Sequence, residues 1–326
     1  MTRKITGGQA INEALKEEMR RDPTVVCYGE DIKIIGDLYG TTKGLIDEFG
    51  EERVFEFPIS EMALVGSGVG MAISGMHPVI DLMYADFFQC AMDEIWAKMA
   101  KWRYMHGGRI NVPMVLRMPS GLSGGAGPEH SQCPEALFLG CPGLKIAVPS
   151  TPYELKGLLK TAIRDQNPVL FFEPKSLYFS EGEVPEEEYL IPFGKADIKK
   201  KGQDVTVVAT CEMVSKSMKA AEKLAEEGID IEVIDPRTLY PLDKNTILDS
   251  VKKTGRLVTV YQAPKTGGFG SEVAAIVAEE ALFDLKAPIK RVGGEDVPIP
   301  AHIVLEQMAI PQVEDIIEGV KDVMRY

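Results

Sequence analysis

Two side chains in this sequence have the type and the setting for proton chemistry. Glu61 stands in "FEFPISEMALVGSGVGMAIS", residues 55–74, a lone carboxylate between an apolar strand-like run and a helix built almost wholly of small and apolar residues. His130 stands in "MPSGLSGGAGPEHSQCPEALF", on a glycine-rich loop that follows the apolar run "VPMVLRMP". A loop at a strand's carboxyl end is the usual ligand side of an open α/β sheet, and imidazole can exchange a proton near neutral pH. Each residue also has a plainer reading. Glu61 can be a first-turn acid behind Ser60 as N-cap, favoured by the helix dipole. His130 can be an ordinary loop residue.

The remaining candidates are weaker. His77 in "SGMHPVI" and His302 in "PIPAHIVLE" have no ligand-spaced partner and read as structural or surface residues. His106 in "RYMHGG" follows a helix, where a histidine commonly answers the dipole. The stretches "GSGVG" and "GGFGSE" adjoin helices, but neither gives the strand, G-x-G-x-x-G, helix and later acid of a dinucleotide site. Small residues such as Gly66 and Gly70 more simply let a helix approach a neighbour closely.

The elements that must position these groups alternate from end to end. Strand candidates in the first half are "TVVCYG", "HPVIDLMY", "VPMVLRMP", "LKIAVPS" and "PVLFFE", several apolar on both faces as in a covered parallel sheet. Ile11, Ala14, Leu15 and Met19 form one helical stripe, and Met92, Ile95, Trp96 and Met99 another. In "STPYELKGLLKTAIRDQNP", Thr151 predicts an N-cap with Glu154 three residues on and Pro152 at the first helical position. The pattern lapses in the Pro- and acid-rich stretch "PKSLYFSEGEVPEEEYLIPF" and then resumes with "DVTVVATC", "IDIEVIDPRTL", "RLVTVYQ", "PIKRVGG" and a last helix whose face is Val313, Ile316, Ile317 and Val320. The expected fold class is α/β: two three-layer α/β/α domains, over residues 1–175 and 195–326, joined by a linker at 176–194.

Composition narrows the function classes. The 326 residues are 45% hydrophobic and 26% charged, enough apolar material for two cores. The net charge of -13 would repel phosphate backbones and anionic lipid, so no nucleic acid and no membrane surface is expected as a partner. There is no uncharged apolar run of about 18 residues and no visible secretory signal, which points to a cytoplasmic protein. The five cysteines are scattered without a C-x-x-C pair, against a disulfide framework or zinc ribbon.

Taken in order, "CYGEDI", "TKGLIDEFGEERVFEFPISEMALVGSGVGMAISGMHPV", "ADFFQCAMDEI", "RYMHGG", "EHSQ", "DPRTLYPLD" and "VPIPAHIVLEQMAIPQVEDII" resemble the beta subunit of the thiamine-diphosphate-dependent first component of 2-oxoacid and acetoin dehydrogenase complexes, within the transketolase-like superfamily. The resemblance covers essentially the whole chain. It implies a pyrimidine-binding domain followed by a transketolase C-terminal-like domain. It also implies that Glu61 hydrogen-bonds the pyrimidine ring nitrogen of thiamine diphosphate and favours the imino tautomer, which takes the proton from the thiazolium carbon. Ile59 would touch the cofactor and Phe87 would pack on the pyrimidine face. His130 would orient or protonate the intermediate and assist transfer to a lipoyl group. Its loop departs from the commoner spelling, with Pro128 and Glu129 where Ala-Gln usually precedes the histidine. Glu30 of "GEDI" matches an acid assigned to a carboxylate relay between paired cofactors, or is a solvated turn acid. "AIRDQN" resembles a monovalent-cation loop, carried here by Met114, Ala162, Ile163, Asp165 and Asn167, for K⁺.

The family anchors the diphosphate through Mg²⁺ on a G-D-G motif, and no such tripeptide occurs here. The resemblance therefore implies half a site, with an alpha subunit in an α2β2 tetramer supplying the Mg²⁺ and diphosphate ligands. With no lipoyl-lysine motif, acyl carriage falls to a separate lipoyl-bearing acyltransferase component. Acetoin is the expected substrate, ahead of pyruvate and then branched-chain 2-oxoacids. Two rivals stand beside this reading: a noncatalytic interaction subunit, and a stand-alone dinucleotide-binding oxidoreductase.

Overall fold

A computed structural model describes residues 2–122 and 124–326. The chain divides into two compact units, Met1–Ser120 with Phe138–Phe193, and Gly121–Leu137 with Gly194–Tyr326.

In the first unit the strands Lys145–Ala147, Val169–Pro174, Val115–Ser120, His77–Asp81, Val25–Gly29 and Val54–Glu56 lie side by side in that order, every pair parallel. They are apolar on both faces because helices cover both. Val25, Cys27, Val79, Val115, Val169 and Phe171 share a core with the helices Gly7–Arg21 and Pro152–Arg164. On the opposite face the Tyr28 hydroxyl donates to the Leu64 carbonyl at 3.0 Å, inside the helix Glu61–Ile73. That helix comes so close that a Cβ on Gly68 would lie 2.3 Å from Ile80 Cδ1, which is what its small residues permit.

Local signals explain most boundaries. Thr6 and Gln9 form a reciprocal capping box at the start of the first helix. Thr151 accepts from the Glu154 amide at 3.2 Å and Pro152 opens the helix, as its sequence predicts. Two segments differ from expectation. The stripe Met92, Ile95, Trp96, Met99 predicts an α-helix, but Glu94–Met99 winds as a wider π-helical turn, with the Ala100 amide bonded to the Ile95 carbonyl at 3.1 Å. Ile95 and Met99 are still buried. The stretch 176–194, expected as a linker, carries the strand Glu181–Pro185, paired antiparallel with Thr2–Thr6. Val184 and Ile191 bury themselves in the first unit's core, while Glu181, Glu183 and Glu186 to Glu188 are not buried, so the acid run is the outer side of an ordered segment.

The second unit has its own sheet, in the order Lys290–Gly294, Leu257–Pro264, Val205–Ala209, Ile231–Asp235 and Asp197–Lys200, parallel except for the last strand. Val205, Val207, Val233, Val258 and Val260 pack under the helices Glu212–Glu226 and Val313–Met324, with Ile316 and Val320 as the buried face of the last helix. On the other face, Thr206 Oγ1 lies 2.7 Å from Ser250 Oγ and 2.8 Å from Thr254 Oγ1, a hydroxyl cluster that fixes the helix Lys244–Thr254. Among the described residues no helix is long and apolar enough to cross a membrane.

Candidate active site

In the first unit the chemistry gathers at the carboxyl ends of the parallel strands, where such sheets place ligands. Register aligns Gly29 with Asp81 and with Glu56, so the residues that follow these positions leave the sheet side by side. The Phe57 amide donates to the Gly29 carbonyl at 2.8 Å, and the chain then reaches Glu61 through Pro58, Ile59 and Ser60. Glu61 is the first residue of its helix and is partly exposed. Ser60 stands at the N-cap but makes no side-chain cap bond. Ile59 is 82% exposed and Met62 56%, an unusual display for large apolar side chains beside an acid.

Glu30 follows the strand Val25–Gly29. It is buried, and its Oε1 has no hydrogen-bond partner among the described residues. Burial, helped by the charges of Glu61, Asp31 and Glu56, pushes its carboxyl up to about 7. The charge of Glu61 thus acts on a buried carboxyl that is near half-protonation at neutral pH, the arrangement expected where a proton is passed or held.

Phe87 arrives from the third strand end. Asp81 Oδ1 accepts from the Met83 amide at 2.8 Å and so holds Met83 in a left-handed turn. Tyr84 follows, its ring edge-on to Phe87 at 5.5 Å and facing the Lys175 ammonium at 4.6 Å. The segment Ala85–Ala91 packs on the helix that Glu61 begins. Glu30, Ile59, Glu61 and Phe87 therefore occupy one end of one sheet.

Beneath them lies a group of residues that sequence reasoning did not single out. Arg117, fully buried in the middle strand, bonds Glu173, Asp81 and Thr41, with Asp37 at 3.8 Å. Tyr178 donates to Glu173 at 2.5 Å, and Thr41 to Asp37. Burial together with the neighbouring Asp37 and Glu173 charges raises Asp81 to about 7, against the pull of Arg117. The available signal was a charge inside a strand buried on both faces, which must find a counter-charge.

The five cation-loop positions precede the strands Val115–Ser120 and Val169–Pro174, at their amino ends. The Met114 carbonyl accepts from the Val169 amide at 2.9 Å and the Ala162 carbonyl from Asp165 at 3.2 Å. Asp165 is paired with Lys145 and also accepts from the Asn167 side chain at 2.9 Å, while Asn167 Oδ1 accepts from Arg103 at 2.7 Å. Among the described residues no group of three or more His, Cys, Asp and Glu side chains could hold a metal ion.

His130 belongs to the second unit. Its loop closes through the Gly121 amide on the Gln132 carbonyl at 3.0 Å and is tied down by the Gly125 amide, which donates to the buried Glu306 carboxylate at 2.7 Å. His130 itself is partly exposed, its amide on the Gly127 carbonyl at 3.3 Å. The other histidines have structural partners: His77 bonds Thr24 at 2.8 Å, His106 stacks on Trp102 at 4.8 Å, and His302 accepts from the Val304 amide at 3.3 Å.

A layered α/β unit with its carboxylates at the strand ends, followed by a second α/β unit, defines a class. Residues 3–180 match the family described as "Transketolase, pyrimidine binding domain" and residues 194–316 match "Transketolase, C-terminal domain". A 2-oxoisovalerate dehydrogenase subunit beta of Bacillus subtilis is 47% identical over 89% of each chain. A mitochondrial pyruvate dehydrogenase subunit beta-1 of Arabidopsis thaliana is 44% identical over 98% of this chain and 89% of its own. The beta subunit of acetoin:2,6-dichlorophenolindophenol oxidoreductase from Cupriavidus necator is 44% identical over 100% of this chain and 99% of its own. A solved split-gene transketolase, an inactive beta4 tetramer, superimposes with a TM-score of 0.81 at 25% identity over 98% of this chain and 99% of that one. The chain belongs to the transketolase-like family of thiamine-diphosphate-dependent dehydrogenase beta subunits.

Proposed function

We propose that this chain forms the pyrimidine-binding half of a thiamine diphosphate site in a dehydrogenase first component, and that it acts on acetoin or a 2-oxoacid. The observation that supports the reading is the buried Glu30, whose Oε1 has no partner among the described residues and whose carboxyl is raised by burial and by the charge of Glu61 at the first turn of its helix. An orphaned acid beside a partly exposed one fits a heterocycle that offers nitrogen donors. Glu61 would hold the pyrimidine ring nitrogen, Ile59 would touch the cofactor, Phe87 would cover the ring, and Glu30 would relay protons. When bound, the cofactor supplies the stabilised carbanion that lets a carbon–carbon bond be cleaved. The contribution of this chain is proton control and orientation, with His130 serving the substrate side and the transfer to lipoamide.

The partner is an alpha subunit in an α2β2 assembly, which holds Mg²⁺ and the diphosphate, and a lipoyl-bearing acyltransferase receives the product. Large apolar side chains on each unit support this need for a partner: Ile59 and Met62 on the first, and Ile303, Val304, Leu305 and Met308, each at least half exposed, on the second. Residues 1–175 would carry the cofactor half and 195–326 the closing domain. A K⁺ ion at Met114, Ala162, Ile163, Asp165 and Asn167 would rest on main-chain oxygens, since the Asp165 carboxylate is already paired with Lys145. The cytoplasm is the proposed compartment.

The relatives carry three different substrates in their names, so acetoin, pyruvate and branched-chain 2-oxoacids are the assay panel. Glu61→Ala in the assembled αβ enzyme is expected to lower turnover about 10²- to 10⁴-fold, with assembly unchanged. Undiminished turnover would instead favour a noncatalytic interaction subunit.

A further inference from the structure

The second unit contains a cleft of about 300 Å³ that the catalytic reading does not use. Its walls are apolar, formed by Pro134, Pro264, Val297 and Ile299 among others. Set into them are two polar side chains that are almost wholly buried, Ser131 at 1% exposure and Gln262 at 7%. Ser131 Oγ and Gln262 Nε2 both lack a hydrogen-bond partner among the described residues. A buried donor with nothing to bond destabilises the fold, so such groups are seldom left unmatched without a reason. Both residues line the same apolar cleft. The backbone holds them in place: Gln262 lies in the strand Leu257–Pro264, and Ser131 lies in the loop closed by the Gly121 amide on the Gln132 carbonyl.

We infer that this cleft is a binding site for a small neutral carbonyl compound, a short branched ketone or amide whose oxygen accepts from both Ser131 Oγ and Gln262 Nε2. The volume lies at the lower end for small-molecule sites, which sets the ligand's size. The apolar walls select an aliphatic body. The lack of any charged side chain among the described lining residues excludes a carboxylate, which would lose its hydration without gaining a cation. The inference concerns binding in the second unit alone and does not depend on the catalytic assignment of Glu61.

The test is a ligand-observed NMR titration of the full chain with isobutyramide and with isobutyrate, two probes of nearly equal shape and different charge. Saturable binding of the amide in the millimolar range is expected, with isobutyrate at least about 10-fold weaker. Ser131→Ala and Gln262→Leu should each weaken the amide about 3- to 10-fold. Gln262→Leu should also raise the unliganded melting temperature, since it removes an unmatched donor. Failure of the amide to saturate, equal binding of the two probes, or unchanged affinity in a folded Gln262→Leu protein would each overturn the site. Should either variant fail to fold, the amide-to-carboxylate ratio on the native chain decides the matter by itself.

Discussion

The guanidinium of Arg117 meets the carboxylate of Glu173 edge to edge, Nε to Oε1 at 2.8 Å and Nη2 to Oε2 at 2.9 Å, with both side chains buried. The remaining nitrogen reaches Asp81 at 3.1 Å, and Asp37 completes a set of three carboxylates around one cation. Such a cluster is stable only while every member keeps its partner, because each charge alone would be strongly desolvated. Its position bears on the proposed cofactor site: Asp81 fixes the Met83 turn that leads to Phe87.

Arg117→Met therefore removes the shared cation and leaves three buried acids. A loss of about 3–5 kcal/mol is expected by urea unfolding at pH 8. The carboxylates escape part of this by taking up protons, so the deficit should shrink on lowering the pH toward 5. A deficit independent of pH would mean that the cluster is held by packing rather than charge.

Glu30 gives a second pH signature with a defined sign. Its folded carboxyl sits near 7 against an ordinary 4.5, so the folded chain keeps a proton that the unfolded chain has lost. Below about pH 4.5 this makes no difference; stability falls as pH rises from there to 7, and the full penalty stands above it. Glu30→Gln should stabilise the chain by on the order of 1 kcal/mol at pH 8 and by less at pH 5, measured by thermal unfolding. If Glu30 relays protons as proposed, the same variant should lose turnover while gaining stability, a trade typical of functional sites.

How much of this was legible beforehand depends on the range of the interactions. The strands, the Thr151 cap and the helix beginning at Glu61 follow from short patterns, whereas the gathering of Glu30, Glu61 and Phe87 at one sheet end rests on the order of the strands, which no short pattern gives. The Arg117 cluster was not legible as a whole, since Asp37, Asp81, Arg117 and Glu173 come from separate segments and each looks like an isolated charge in an apolar run. The membership of Gly121–Leu137 in the second unit was hidden for a similar reason: Gly125 finds Glu306 across a separation of 181 residues. Ser60 illustrates the opposite error, a residue of the right type at the N-cap that makes no cap bond.

Gly68 tests the close approach of the helix Glu61–Ile73 to its sheet. A Cβ there would meet Ile80 Cδ1 at 2.3 Å, and Met114 Cε and the Tyr28 hydroxyl each at 3.0 Å. Gly68→Val should cost on the order of 2–3 kcal/mol by overpacking, despite valine's better helix propensity. Because Glu61 opens this helix, turnover in the assembled enzyme should fall by more than the loss of folded protein explains. Activity that tracks only the folded fraction would show that the helix shifts without moving Glu61.

Glu135 differs from the Arg117 cluster in having no cation paired with it among the described residues. It is 4% exposed, its Oε2 has no hydrogen-bond partner among the described residues, and burial pushes its carboxyl up to about 7. The sign is that of Glu30: the proton is retained on folding, and stability declines as pH climbs from the ordinary carboxylate range through 7. Glu135→Gln keeps the shape and removes the titration, so the variant should unfold later than the native chain at pH 8 and at nearly the same temperature at pH 4.5. Because Glu135 lies two residues from Cys133 on the loop of His130, hydrogen exchange of the 121–137 amides in the native chain should quicken between pH 6 and 8 beyond the intrinsic rate, and Glu135→Gln should abolish that excess. An identical pH profile in both proteins would mean that the carboxyl is charged and solvated throughout.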